Sequence, residues 1–285
     1  MKSVVTILVL FFSVTMFAQK GFQGKAIYKS KTTFDMSRFD KSKMSEERKK
    51  RILDRMKNML EKTFVLNFDQ SASIYKEEEK LATPGGAGRG FRFGGFGGGT
   101  KYKNIKEKKA LEATEFFGKK FLVSENLEQP KWELGSETKQ IGKYTCYKAT
   151  LIKKPNALDF GSFRRKSSKT KKVKDSTKTK NILDEVELPK EILVTAWYTP
   201  QIPVSNGPGE YWGLPGLILE INSGKTTILC SEIVINPSDK IEISAPTKGK
   251  EITRKKYNKT IKKKMEEMRE MFKNRRKSSN RRSRH

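Results

Sequence analysis

The stretch from Gly207 to Asn222 constrains the fold more than any other feature of the chain. It reads GPGEYWGLPGLILEIN, so four glycines and two prolines come before an apolar run. Proline fixes φ and lacks an N–H donor, whereas glycine tolerates positive φ. We therefore predict a tight, irregular loop over Gly207–Gly216. From Leu217 onward the side chains alternate in a way that is typical of a β-strand.

Two interpretations of this loop stay open. In the first, the loop is structural and aims the strand that follows it, because turn chemistry usually serves packing. In the second, the loop faces a ligand, because binding sites are often built on rigid loops. The side chains that would line or gate a hydrophobic cavity are aromatic or aliphatic: Trp197, Tyr198, Tyr211, Trp212, Leu214 and Leu217.

The loop also carries a family resemblance. The hexapeptide Gly213, Leu214, Pro215, Gly216, Leu217 and Ile218 resembles the one that names the GLPGLI family of secreted Bacteroidota proteins. The flanking residues 196–199 and the upstream segment 142–149 resemble that family as well. The resemblance implies an envelope location, often near outer-membrane receptor systems. It implies no established activity and no catalytic residues.

The rarity of histidine and cysteine excludes several chemistries. His285 is the only histidine and the last residue, and Cys146 and Cys230 are the only cysteines. Catalytic groups such as Ser-His-Asp or Cys-His, and zinc sites with histidine or four cysteine ligands, are therefore not expected in the folded core. We expect no metal site and no cofactor.

The positive charge is unevenly distributed. The chain of 285 residues has a formal net charge of +29. Residues 155–180 hold nine Lys or Arg against two acids, and residues 248–285 hold seventeen against four. The predicted folded middle is thus only mildly basic. The excess lies in an insert and a tail, which could bind phosphate groups of anionic lipid or lipopolysaccharide.

The first residues predict export. Lys2 precedes an apolar run from Val4 to Phe17, which is typical of a signal peptide over residues 1–18 with cleavage after Ala18. An N-terminal membrane anchor is the alternative, although the apolar run is short for a span. Export would place the protein in the periplasm or at the outer membrane, where nucleic acid is an improbable partner.

The rest of the chain predicts an α+β, mainly β fold. We expect a curved antiparallel sheet or half-barrel over residues 19–247, with a helix at residues 45–60. A glycine-rich loop at 82–100 and a basic insert at 155–184 should be flexible. Residues 248–285 should form a C-terminal helix over 252–273 and then an unstructured basic tail. That helix could dock on the sheet or lie on an anionic membrane.

The two cysteines leave another choice open. In an oxidising compartment Cys146 and Cys230 could form a disulfide. The alternative is two separate buried thiols, because free cysteine is among the residues most often buried.

Three functions are compatible with these features. The leading one is a non-catalytic envelope protein that binds a hydrophobic ligand or an outer-membrane partner. The second is an accessory protein of an outer-membrane receptor complex that uses its basic segments. The third is a carboxylate-based hydrolase, for which Glu210 and Glu220 are the nominal candidates.

Overall fold

The computed structural model describes residues 21–33, 45–78, 99–154, 164–165, 186–187, 191–239 and 241–282. The predicted signal peptide lies outside these residues. So do nearly all of the glycine-rich loop and of the basic insert. Within the insert, only Arg164–Arg165 is described, and it pairs with Val186–Glu187 as a two-stranded sheet.

One large sheet organises the described chain. The strands are β1 Gln23–Thr32, β2 Glu61–Asp69, β3 Ala72–Glu77, β4 Thr100–Asn104, β5 Lys109–Phe116, β6 Lys119–Asn126, β7 Glu133–Ile141, β8 Tyr144–Lys153, β9 Arg164–Arg165, β10 Val186–Glu187, β11 Ile192–Thr199, β12 Leu217–Ser223, β13 Thr226–Ile235 and β14 Lys250–Thr253. The helices are α1 Glu46–Leu60 and α2 Arg254–Arg282. Twelve strands form the sheet in the order β14-β6-β5-β4-β3-β2-β1-β13-β12-β11-β8-β7.

The expected fold class is confirmed, because the protein is mainly β with 54% strand and two helices in the described chain. Neighbouring strands pair antiparallel, except that β14 runs parallel to β6. The sheet is open and uncurled, rather than curled into a half-barrel. Its edge strands β14 and β7 lie at opposite ends of the strand order and do not pair.

In the N-terminal half, α1 forms where the sequence predicts a helix, and local signals also account for β1 and for the turn between β2 and β3. In β1, Ala26 and Tyr28 are fully buried, whereas Lys25 and Lys29 on the other face are exposed. The turn between β2 and β3 is fixed by the Asp69 carboxylate, which accepts hydrogen bonds from Ser71 N (2.7 Å) and Ala72 N (2.6 Å). Ser45 precedes α1 in an extended conformation, yet its side chain makes no capping hydrogen bond.

The apolar core is divided along β12. Leu217 and Leu219 belong to a cluster with residues of β1 and β2. Ile218 and Ile221 belong to a second cluster with residues of β8 and β11. Every one of these four side chains is at most 1% exposed. The strand that follows the motif loop is therefore buried on both sides and joins the two clusters.

The C-terminal segment completes the sheet. Residues 241–245 form no strand, and β14 takes the edge position. Tyr257 and Ile261 of α2 are buried against Phe116, Phe121 and Val123 of β5 and β6. The helix thus docks on the sheet, and it continues to Arg282, through most of the tail that we expected to be unstructured. No described helix has the length and apolar character needed to cross a membrane.

The predicted disulfide is not formed. Cys146 and Cys230 are free and buried. They lie on β8 and β13, which are separated in the sheet by β12 and β11. Three steps between strands span roughly 14 Å, whereas disulfide-bonded residues need Cα atoms closer than about 7 Å. The alternative of two separate buried thiols is the one that the structure has.

The thiols give the first testable prediction. Burial raises the pKa of Cys146 to about 11 and that of Cys230 to about 12, so both thiols should be protonated and protected. We expect a thiol reagent to label neither cysteine in the native protein and both after denaturation. A reductant should leave the melting temperature unchanged. A melting temperature that falls on reduction would contradict the free-thiol arrangement.

Candidate functional site

The motif loop, residues 200–216 between β11 and β12, folds back along the start of β12. Leu217 N donates a hydrogen bond to Ile202 O and Ile218 N donates one to Asn206 O, each at 3.0 Å. Ser205 Oγ donates to Leu214 O at 3.0 Å. These bonds pair the first part of the loop with its last part and with β12, so the loop has one defined path.

Two glycines allow the backbone to approach this closely. A Cβ on Gly216 would lie 2.2 Å from the carbonyl oxygen of Thr199. A Cβ on Gly207 would lie 2.8 Å from Ile218 Cβ and 2.9 Å from Tyr211 O. Both positions therefore need glycine because of close packing, beyond the conformational freedom that the sequence predicts.

A buried lysine joins the loop to a distant part of the sheet. Lys103 of β4 is 3% exposed, and its Nζ donates to Gly207 O and Tyr211 O, both at 3.0 Å. Beside it, Ser73 Oγ of β3 hydrogen-bonds to Asn206 Oδ1 at 2.9 Å. Polar groups of β3 and β4 thus bind the loop by atoms that are themselves buried, where such bonds are costly to lose.

The charge on Lys103 is disfavoured where it lies. Burial and, to a smaller extent, the nearby Lys101 lower its pKa to about 7, while Glu210 acts in the opposite direction. Because the two carbonyl oxygens can be satisfied by a neutral amine with two N–H groups, Lys103 can hold the loop without its charge.

The outer side of the loop is held by residues of β8 and of the segment before β7. Lys153 forms an ion pair with Glu210, and its Nζ lies over the ring of Tyr211, 5.4 Å from the centroid. Trp132 Nε1 donates to Trp212 O at 2.8 Å. The loop is thereby held from both sides.

The predicted ligand-lining residues pack into the protein core. Tyr198, Tyr211, Trp212, Leu214 and Leu217 are all buried, and Trp197 is half-buried. Leu217 and Trp197 belong to the first core cluster, whereas Tyr198, Tyr211 and Leu214 belong to the second. Five of the six side chains are therefore divided between two packed clusters, and the sixth, Trp212, is buried outside both.

The two nominal catalytic carboxylates are each paired with a lysine. Glu210 is paired with Lys153, as described above. Glu220 accepts from Lys139 Nζ of β7 at 2.5 Å and from Asn222 Nδ2 at 2.7 Å. Among the described residues no group of three or more His, Cys, Asp or Glu side chains could hold a metal ion. Glu210 of the loop and Glu220 of β12 are therefore both engaged in ion pairs with lysines.

The residues that hold the loop were not found from the sequence. Tyr102, Lys103 and Asn104 are consecutive and all buried, so β4 lacks the alternation that would set Lys103 apart. A strand with an inward tyrosine predicts an outward lysine at the next position. Lys103 departs from this pattern because both sides of β4 are covered at this point.

Comparison with known proteins places the motif loop within a domain of unknown function. A family model described as a protein of unknown function, Porph_ging, associated with Bacteroidota, matches residues 132–220. This range contains β7, β8, β11 and the motif loop. No curated protein matches the chain.

Solved structures with a similar arrangement include two crystal forms of PNGF-II. For the C2 form the TM-score is 0.47 with 13% sequence identity, and the match covers 84% of this chain and 32% of that chain. For the P21 form the TM-score is 0.46 with 13% identity, covering 83% and 32%. The chain thus spans about a third of the length of the structures it matches.

The glycine positions give the second prediction. Replacement of Gly216 by alanine should destabilise the protein strongly, because the new Cβ meets the Thr199 backbone. Gly209 is the matched control, since its φ is +62° but nothing lies within 4 Å of an added Cβ. We expect Gly209→Ala to cost about 1–2 kcal/mol from the left-handed backbone alone. Gly216→Ala should cost about 1–3 kcal/mol more in urea unfolding, and equal costs would contradict the packing described here.

Lys103 gives the third prediction. The unfolded chain should hold the Lys103 proton up to about the ordinary pKa of 10.5, whereas the folded protein releases it near pH 7. Between these values the unfolded state binds more protons, so this group makes stability rise with pH. Below about pH 7 both states are protonated and the contribution becomes constant.

The measurement is urea unfolding followed by tryptophan fluorescence between about pH 7 and pH 9. Lys103→Met should remove the part of the pH dependence that comes from this group. Lys76→Met, at an exposed lysine of β3, should keep the pH dependence of the unchanged protein. If the Lys103 and Lys76 variants show the same slope, Lys103 does not release its proton on folding.

Proposed function

We propose that the protein is an exported, non-catalytic protein of the cell envelope that acts by binding a partner at its surface. One observation carries this proposal. The polar and aromatic groups gathered at the motif loop are engaged with the protein itself, as in the bonds from Lys103 to Gly207 O and Tyr211 O. An enzyme needs such groups to be free to contact a substrate.

The packing of the motif residues favours a surface partner over an enclosed hydrophobic ligand. Leu214 and Leu217 are at most 1% exposed and lie in different clusters. A ligand cavity is usually lined by apolar side chains that leave room for the ligand. Here the apolar side chains contact one another, which supports a loop that fixes the scaffold.

The compartment is supported by the sequence. Residues 1–18 have the features of a signal peptide, and residues 213–218 carry the hexapeptide of the GLPGLI family. We propose that the chain belongs to this secreted family and functions in the periplasm or at the outer membrane. An outer-membrane receptor system is the setting that the resemblance favours. A carboxylate hydrolase is disfavoured by the ion pairs of Glu210 and Glu220.

The fourth prediction tests export and ligand content together. Expressed in a Bacteroidota host, the full chain should be recovered from the envelope fraction with Gln19 as its first residue. Native mass spectrometry of this protein should show the mass of the polypeptide without a bound lipid. As a control, a chain with charged residues introduced into the apolar run at 4–17 should stay in the cytoplasm with Met1 uncleaved.

Two outcomes would contradict the proposal. Cytoplasmic protein that retains its first residues would remove the envelope function. A lipid bound in one-to-one ratio would replace the surface partner by an internal ligand. Substitution of Glu210 by glutamine should change no hydrolytic activity in a screen of the mature protein, and a loss of activity in that variant would identify an enzyme.

A further inference from the structure

The helix α2 presents a lysine face to solvent. Five lysines follow one another at positions i, i+1, i+4, i+7 and i+8, which lie on one side of a helix. They are Lys255, Lys256, Lys259, Lys262 and Lys263, and all five are exposed. None of them forms an ion pair with another described residue.

The orientation of this lysine face is fixed by the opposite side of the helix. Tyr257 and Ile261 are buried in the sheet, and the ring of Tyr257 meets that of Phe121 edge-on at 5.5 Å. At the start of the helix the Arg254 guanidinium binds Glu112 (2.6 Å) and Glu125 (2.8 Å). Because the docked side is held by both apolar and ionic contacts, the lysine face points away from the sheet.

The lysine face lowers the stability of the helix itself. Lys255 and Lys259, like Lys259 and Lys263, are like charges one turn apart, which destabilise a helix. No acid lies in the first turn, where negative charge would favour the helix dipole. Over its whole length α2 has fourteen Lys or Arg against three Glu. A solvated helix with no partner would be more stable with mixed charges, so the excess suits a negatively charged partner.

We propose that the lysine face binds the surface of a bilayer that contains anionic phospholipid. Five ammonium groups on a regular helix side match a flat, dense layer of phosphate groups, and each basic residue near such a surface adds to the attraction. This inference rests on the proposed function, because it names the partner that an envelope protein would meet. The helix would lie between the sheet and the membrane, with its apolar side still docked on β5 and β6.

The fifth prediction uses the mature chain, residues 19–285, and sedimentation with vesicles. Vesicles of phosphatidylcholine mixed with phosphatidylglycerol should bind the protein, whereas pure phosphatidylcholine vesicles should not. Binding should weaken as salt is raised, since the attraction is screened. A variant with all five lysines of the face changed to glutamine should partition at least about tenfold less.

A second variant controls for net charge. It changes five exposed lysines elsewhere to glutamine, namely Lys25, Lys29, Lys76, Lys143 and Lys225. It has the same net charge as the first variant and should keep most of the binding. Glutamine and lysine have similar helix propensities, so circular dichroism and melting should show both variants folded.

Several results would overturn the inference. These are equal losses in the two variants, no binding of the unchanged protein to the anionic vesicles, and preferential binding to a DNA duplex in competition with them. The first would show that overall charge is responsible, and the last would identify a nucleic-acid face. None of them affects the proposed export or the proposed absence of an enclosed lipid, which are judged by cleavage after Ala18 and by native mass spectrometry.

Discussion

The side-chain amino group of Lys103 on β4 donates hydrogen bonds to two carbonyl oxygens of the motif loop, which connects β11 to β12. β4 and β7 are eight places apart in the strand order. Lys103 of β4 and Trp132, which directly precedes β7, nevertheless both donate hydrogen bonds to the motif loop. Loss of the lysine would leave Gly207 O and Tyr211 O buried without this donor, which is more costly than the loss of a surface bond. The position of the loop, and with it the packing of β12 between two apolar clusters, depends on this contact.

Charge in this protein has two separate uses. Two lysines near the motif loop form ion pairs within the protein: Lys153 with Glu210, and Lys139 with Glu220. The lysine face of α2 has no such carboxylates within the described residues, although the first residue of the same helix, Arg254, binds two of them. The helix thus begins with an ion-paired arginine, and the five lysines of its exposed face form no ion pair with a described residue. This contrast separates a structural use of charge from one that fits recognition of an anionic surface.

The sequence predicts the parts of the fold that depend on local pattern. α1 and β12 begin within a residue of where the sequence predicts them, because apolar periodicity is a local signal. The parallel pairing of β14 with β6 and the separation of Cys146 from Cys230 depend on strand order, which no local pattern encodes. Lys103 could not be predicted for the same reason. Its burial comes from a loop about a hundred residues later in the chain, as its bonds to Gly207 and Tyr211 show.

The family match and the lysine face lie in different parts of the chain. The match covers residues 132–220, which contain the motif loop and the strands that it closes. The helix α2 begins at Arg254, beyond the match, and it docks on β5 and β6, which precede the match. The matched segment therefore supplies the packed loop, while the residues outside it supply the charged helix and the sheet that orients it. A protein that shares the loop need not share the lysine face, so the anionic surface proposed as the partner would be recognised by residues outside the motif that suggests the family.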